Sequence, residues 1–222
     1  MRTKLADRVL PTYSRGEERF NMISHIVGAA AGIALLVLCI IRAALHHSAA
    51  GVLSAIVFGI SLIVLYTMSA VYHGLLPGMG KRVLQVLDHC TIFLLIAGSY
   101  TPVLVCSIAP LAKPTAMLLL LLVWLFAVLG MVLNAIDLKS HRVFSMICYI
   151  GLGWCILPVI PLVIRSVGRY GFVLLLVGGI CYTLGAVLYG LGKHKKWFHS
   201  VFHLFTLAGS ILQGLAILLF VL

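Results

Sequence analysis

The sequence is poor in acidic residues and in charged residues of either sign. Only five of its 222 residues are Asp or Glu, and the whole charged fraction is 9%, whereas soluble globular proteins carry roughly a quarter of their residues as charged ones. In contrast, 63% of the residues are hydrophobic. A water-soluble core cannot enclose that much apolar surface, so the composition excludes an ordinary soluble domain and predicts an integral membrane protein.

The sequence also lacks the patterns of a paired-cysteine site and of a nucleic-acid-binding site. The six cysteines lie in or beside apolar stretches and form no Cys-x-x-Cys pair, so we expect them to pack as small apolar residues. The formal charge is +11, but the basic residues lie in short connections and form no run interleaved with aromatic residues. Nucleic-acid binding is therefore not expected.

What the sequence does contain is a series of apolar runs. A helix needs about 20 apolar residues to span a bilayer, and seven runs of that order lie at residues 22–45, 50–75, 84–106, 114–134, 142–163, 171–192 and 199–221. They lack the alternation of a membrane β-barrel, so helices are expected. The sequence predicts an all-α bundle of seven transmembrane helices at 21–222. A cytoplasmic tail at 1–20 precedes it, with disorder expected up to about Ser14.

The basic residues indicate how this bundle is oriented. Seven helices place the two termini on opposite sides of the membrane. Twelve Lys and Arg residues fall on the side of the N-terminus and four on the other. By the positive-inside rule, the N-terminus is predicted to be cytoplasmic and the C-terminus outside, in a multi-pass protein of the plasma or inner membrane. The twelve are Arg2, Lys4, Arg8, Arg15, Arg19, Lys81, Arg82, Lys139, Arg142, Lys193, Lys195 and Lys196, and the four are Arg42, Lys113, Arg165 and Arg169.

Ionisable residues inside membrane helices are costly and by default mark functional sites. Here they all fall at the cytoplasmic ends of the predicted helices. They are His25, His73, Asp88, His89, His199 and His203.

The spacing of these residues predicts a metal site. His199 and His203 are four residues apart and therefore share one helix face, as do Ser69 and His73. A third ligand from His73 would complete a three-histidine zinc site with one open position, the arrangement of catalytic zinc. Asp88 is expected to act as a carboxylate behind the ligands.

Less specific interpretations of the same residues stay open. A histidine at the membrane interface is commonly solvated or bonded to a carbonyl, and Asp88 could simply favour a helix N-terminus by about 0.3–1 kcal/mol. We expect only packing or solvated roles for the remaining histidines, which are His25, His46, His47, His89, His141 and His194.

Several segments resemble the hemolysin III family, the bacterial branch of the progestin and adiponectin receptor superfamily. The resemblance covers nearly the whole chain and rests on EERFNMISHIVG, SAVYH, LDHCTIFLLIAGSYTP and HSVFHLFTLAGS. It implies a metal region made of Ser69, His73, Asp88, His199 and His203, with zinc bound by the three histidines and Asp88 acting through bound water. Its first-helix motif matches Glu17 or Glu18, Asn21, Ser24 and His25, for which the sequence predicts no role.

Three functions follow from these observations. The first is a zinc-dependent hydrolase that acts on lipid amides or esters, with Asp88 as the general base and Ser69 orienting water or a histidine. The second is a cytolytic pore, although no ring of polar residues is available to line a channel. The third is a non-enzymatic regulator of membrane lipid or energy homeostasis, in which zinc only joins helices. Membrane lipids are the expected partners, and no oligomeric state is predicted.

Overall fold

The computed structural model describes residue 3, residues 5–191 and residues 195–222. Four of the residues discussed above, Arg2, Lys4, Lys193 and His194, lie outside the described residues. Within the described part the chain is helical and contains no β-strand. Its main helices are α1 (Arg15–Leu45), α2 (Ala49–Gly74), α3 (Met79–Pro102), α4 (Ala109–Asp137), α5 (Arg142–Gly153), α6 (Ile160–Leu191) and α7 (Phe198–Ala216).

Apolar side chains cover the outside of the bundle. Many large ones are exposed, among them Leu121, Leu125 and Ile147, with 57–66% of their surface accessible. Five continuous helical stretches are long and apolar enough to cross a membrane, namely Arg15–Leu45, Ala49–Gly74, Met79–Asp137, Arg142–Leu191 and Phe198–Val221. Such an exterior suits lipid rather than water, which confirms the prediction of a helical membrane protein.

The chain reverses direction within the longest stretch. The π-helical segment Val103–Ile108 joins α3 to α4, and Ala112 has non-helical backbone angles. Thr101 accepts a hydrogen bond from Trp124 Nε1, and further along α3 the Phe93 ring packs on Gly130. The Phe93–Gly130 pair is farther from Ala112 along the chain, in both directions, than the Thr101–Trp124 pair. The two helices therefore run side by side in opposite directions, so α3 and α4 are antiparallel. The connection predicted between residues 106 and 114 therefore exists as a sharp bend.

A second reversal divides the stretch from Arg142 to Leu191. Gly168 has φ +70°, a left-handed conformation that glycine adopts without a steric penalty. On either side of it, Trp154 Nε1 donates a hydrogen bond to Thr183 Oγ1 over 3.0 Å. The chain before Gly168 thus folds back along α6, as the sequence predicted for the connection between residues 163 and 171.

The first helix begins earlier than the sequence analysis predicted. Ser14 and Glu17 form a capping box, in which each side chain accepts a hydrogen bond from the backbone N–H of the other residue. This cap satisfies free N–H groups of the first turn and starts α1 at Arg15. Glu17 and Glu18 therefore lie on the helix itself, whereas the predicted boundary left them in the tail.

The tail expected to be disordered makes specific contacts in its described part. The Thr3 N–H donates to Asp137 at the end of α4, over 2.8 Å. Arg82 of α3 donates from Nε to the Arg8 carbonyl over 3.0 Å. These bonds place the described part of the tail across the ends of α3 and α4.

Close contact between α1, α2 and α7 sets the position of the histidines. Gly28 of α1 leaves room for the Tyr66 ring of α2, and Gly214 of α7 leaves room for Leu35 of α1. Small residues let membrane helices approach closely. As a result, the ends of α1, α2 and α7 that carry histidines converge at one point of the bundle.

Candidate metal centre

Three histidines from two helices meet at this point. His73 ends α2, while His199 and His203 occupy successive turns of α7. Their Nε2 atoms are 3.4 Å apart between His73 and His199, and 2.9 Å apart between His199 and His203. One ring nitrogen from each of the three lies within 4.8 Å of the others. The structure therefore brings together the three ligands that the sequence analysis proposed.

The donor set fits a metal ion such as zinc. Nitrogens about 2.0–2.1 Å from a tetrahedral zinc ion are about 3.3 Å from one another, and the separations here are 3.4 and 2.9 Å. A neutral imidazole carries one N–H and one lone pair, so three imidazoles with their lone pairs on the converging nitrogens could hold one cation between them. The three histidines are therefore a possible metal-binding cluster.

Glu18 determines which nitrogen of His73 is free. Its Oε2 atom lies 2.6 Å from His73 Nδ1, and a carboxylate can only accept, so Nδ1 carries the proton and donates it. The lone pair of His73 is then on Nε2, the atom that faces the other two histidines. Histidine ligands of metal ions are commonly held by a carboxylate in this way.

Lys81 completes this ionic contact. Its ammonium group donates to Glu18 Oε1 over 2.6 Å and to the Leu75 carbonyl over 3.0 Å. Lys81 is only 3% exposed, so it is a structural partner of Glu18 as well as one of the basic residues that indicated topology.

His25 is a fourth histidine of the cluster. Its Nε2 atom contacts Nδ1 of His203, and its ring packs edge-on against Tyr66. The other ring nitrogen, Nδ1, is buried without a hydrogen-bond partner. His25 thus contacts Nδ1 of His203 in the way that Glu18 contacts Nδ1 of His73. The sequence analysis expected only a packing role for His25.

Tyr13 of the tail covers the cluster. Its ring stacks on His199, with centroids 4.8 Å apart and planes 16° from parallel. Burial and the neighbouring Tyr189, Glu18 and Asp88 raise the pKa of its phenol well above the usual value. The phenol is therefore neutral at physiological pH, and the ring shields His199 from the aqueous side.

Asp88 and Ser69 lie beside the histidines. Asp88 is on α3, with 16% of its side chain exposed, and its Oδ2 atom is 4.0 Å from His89 Nδ1. The Ser69 hydroxyl faces Asp88 but makes no hydrogen bond of standard geometry, although it is buried. Glu18 is thus the carboxylate that contacts one of the three clustered histidines, whereas Asp88 lies 4.0 Å from His89.

His89 occupies a different environment. Both of its ring nitrogens have protein partners, with Nδ1 2.8 Å from the Gln85 carbonyl and Nε2 3.0 Å from the Tyr189 hydroxyl. A histidine with both nitrogens engaged has none free for a metal. The packing role predicted for His89 therefore agrees with its contacts.

A large cavity opens beside the site. Its volume is about 890 Å³, and both Asp88 and His199 form part of its wall. Towards one end the wall carries Arg8, Lys139 and Arg142, and deeper in the bundle it consists of residues such as Leu95 and Tyr100. The cavity thus joins a polar, basic region to an apolar one, with the histidines at the side.

Comparison with known proteins identifies the family. The model of a family described as "Haemolysin-III related" matches residues 13–214. The chain belongs to the haemolysin-III family. Among curated relatives, Hemolysin-3 of Bacillus cereus is 35% identical over 206 residues, which are 93% of this chain and 92% of that protein. The Hemolysin-3 homolog of Bacillus subtilis (strain 168) is 34% identical over 204 residues, 92% of this chain and 94% of the relative.

The resemblance noted in the sequence is thereby confirmed. The match to the haemolysin-III family starts at Tyr13 and ends at Gly214, so it includes every residue of the histidine cluster together with Glu18, Ser69 and Asp88. The cluster belongs to the part of the chain that the family shares.

Proposed function

We propose that this haemolysin-III protein is a zinc-dependent membrane hydrolase that cleaves amide or ester bonds of lipids. The observation that carries the proposal is the convergence of the Nε2 atoms of His73, His199 and His203, two pairs of which are 2.9 and 3.4 Å apart. They lie on the side of a cavity that has both polar and apolar walls. Three histidines leave one position of a tetrahedral zinc ion open, as in catalytic sites.

In this proposal the three histidines hold the ion, which supplies Lewis acidity to the reacting carbonyl group and to water. Asp88 accepts a proton on a carboxylate oxygen as water adds to the carbonyl carbon. It then gives that proton to the nitrogen or oxygen of the leaving group as the carbon–nitrogen or carbon–oxygen bond breaks. The products are a carboxylic acid and an amine or alcohol, and Ser69 orients water or a histidine.

The residues behind the ligands fix their orientation. Glu18 keeps the proton of His73 on Nδ1, and His25 supports His203 from α1. Interactions of this kind hold metal-binding imidazoles in one orientation and tautomer. Tyr13 excludes water from the face of His199 that it covers.

The topology proposed for this enzyme has seven spans. The reversals at Ala112 and Gly168 support a division of the two longest helical stretches into two spans each, which together with the other three give seven. The N-terminus is cytoplasmic and the C-terminus outside, in the plasma or inner membrane. Reporter fusions at the C-terminus test this arrangement, and a cytoplasmic location of that reporter contradicts it.

Metal analysis is the first test of the proposed site. Elemental mass spectrometry on detergent-purified protein should find about one zinc per chain in the wild type and in His89→Gln. The single variants His73→Ala, His199→Ala and His203→Ala should contain none while remaining folded. A folded wild type that is free of zinc, prepared without chelators, contradicts the proposal.

Turnover then separates a catalytic from a structural ion. Zinc-loaded wild type should hydrolyse some lipid amide or ester, and Asp88→Asn should keep the zinc but lose about 100-fold or more of the rate. If the wild type holds zinc and hydrolyses no such lipid, while removal of the zinc lowers only stability, the ion is structural and the protein is a regulator.

The name of the relatives connects those proteins with haemolysis, so a cytolytic pore is the competing function. A pore should release a trapped dye from liposomes, and it should do so equally with and without zinc. Dye release of that kind, with no hydrolysis, would favour the pore over the enzyme.

A further inference from the structure

Arg8 is a buried arginine whose guanidinium group lacks partners. Only 7% of the residue is exposed, and its Nε and Nη1 atoms are buried without a hydrogen-bond partner. No carboxylate in the described part of the chain lies within 4.0 Å of it. An arginine cannot lose its charge in a protein, and a buried charge without a counterion is strongly unfavourable. An anion from outside the chain would therefore stabilise the charge of the Arg8 guanidinium.

The position of Arg8 is fixed by its backbone. Its carbonyl accepts the bond from Arg82 Nε, and the tail residue before the short Leu5–Asp7 turn, Thr3, is bonded to Asp137. Arg8 is one of the residues that line the cavity containing Asp88 and His199. Arg8 is therefore a fixed part of the cavity wall.

Other basic residues face the same end of the cavity. Arg8 and Arg142 both act electrostatically on His89, so their charges lie close to the same ring. Lys139, Lys195 and Lys196 also line this end. These five cations outnumber the three carboxylates of the wall, Asp7, Glu17 and Asp88. Glu17 is already engaged by Ser14 and by the Trp197 N–H.

The deeper wall of the cavity is apolar and aromatic. It includes Leu65, Ile92, Leu95, Ile96 and Tyr100. A small anion such as free phosphate would leave this apolar part of the cavity unfilled. An acyl chain suits it, because burial of apolar surface is favourable in proportion to the area removed from water.

We propose that the cavity binds an anionic lipid, with its headgroup on Arg8 and Arg142 and its acyl chain along Leu95, Ile96 and Tyr100. Arginine is suited to phosphate or carboxylate groups because its planar donors match their oxygens. The inference rests on the proposed function in one respect, since it names the substrate class of that hydrolase.

Ligand-dependent thermal unfolding of the full-length protein in detergent tests this inference. A ligand that binds only the folded state raises Tm by mass action. The probes are dioleoylphosphatidylglycerol, dioleoylphosphatidylcholine and sodium phosphate at equal concentrations. The variants are Arg8→Gln and, as a control with the same loss of charge, Arg19→Gln, because Arg19 is exposed on α1 and does not line the cavity.

Phosphatidylglycerol should raise Tm of the wild type and of Arg19→Gln, whereas phosphatidylcholine and phosphate should not. Arg8→Gln should bind about tenfold or more weakly, the effect of losing a hydrogen-bonded charge, and should lose most of the shift. If Arg8→Gln does not fold, Arg142→Gln takes its place with the same expectation.

Three results would overturn the inference. An equal shift with phosphatidylcholine means that headgroup charge is not recognised, and an equal shift with phosphate means that a free anion is the ligand. Undiminished shifts in Arg8→Gln and Arg142→Gln mean that the lipid only coats a basic surface. Lipid binding is read from Tm and zinc from elemental analysis of the same wild-type protein, so failure of lipid binding and failure of the metal proposal are separate results.

Discussion

Glu18 touches two partners with its two carboxylate oxygens, His73 Nδ1 at 2.6 Å and Lys81 Nζ at 2.6 Å. The contact links the start of α1 to the end of α2 and the start of α3. Because Lys81 and His73 both donate to it, the carboxylate is held charged at the position where it fixes the tautomer of His73. Glu18 therefore determines which ring nitrogen of His73 is free to face His199.

Glu18→Gln should weaken zinc binding about 10- to 100-fold, the usual effect of removing a carboxylate behind a histidine ligand. Competition with a chromogenic chelator measures the affinity. Glu17→Gln is the matched control, since Glu17 caps α1 without touching a histidine and glutamine also serves in a capping box. Equal affinities of the two variants would contradict a role of Glu18 in orienting His73.

His25→Ala should retain about one zinc per chain but bind it about tenfold more weakly, because His203 loses its support while all three ligands remain. His203→Ala should lose the ion. Elemental analysis combined with chelator competition distinguishes the two results. Complete loss of zinc in His25→Ala would instead make His25 a ligand.

Tyr13→Ala should speed the loss of zinc to a chelator, because the ring that stacks on His199 is removed. Tyr13→Phe keeps the ring and, since the raised pKa keeps the Tyr13 phenol neutral, changes no charge at neutral pH. Its rate of zinc loss should equal that of the wild type. The expectation fails if both variants lose zinc at the same rate.

Gly130→Ala should destabilise the protein by about 1–3 kcal/mol, the usual cost of overpacking, since a methyl group at this position would overlap the buried Phe93 ring. Gly190→Ala is the control, because nothing lies within 4 Å of a methyl group at Gly190 on α6. Unfolding in detergent compares the two. Similar stability of both variants would show that α3 and α4 separate easily.

The sequence predicted that His73, His199 and His203 come together because their signals are local. His199 and His203 share a face by spacing alone, and Ser69 and His73 repeat that spacing. The reversals near Ala112 and Gly168 were also predictable, since polar residues and Pro or Gly interrupt the apolar runs there.

The support from α1 was harder to predict, because nothing in the spacing says which helix faces the histidines. Glu18 and His25 are seven residues apart and therefore lie on one side of α1. Polar residues also follow its buried face, among them Asn21 and Ser24, and this was the available signal. The predicted start of the helix near residue 21 concealed it, and the Ser-x-x-Glu cap at Ser14 would have corrected that boundary. The surroundings of buried Arg8 depend on the path of the tail, which no hydrophobic periodicity in the sequence predicts.

The contact between His25 and His203 joins residues 178 positions apart in the chain. During synthesis α1 and α2 are made before α7, so His73 and Glu18 precede two of the three proposed ligands. The proposed metal site can form only when α7 has joined α1 and α2. A chain without α7 therefore lacks two of the three proposed ligands, and metal retention would report that α7 has reached its place in the bundle.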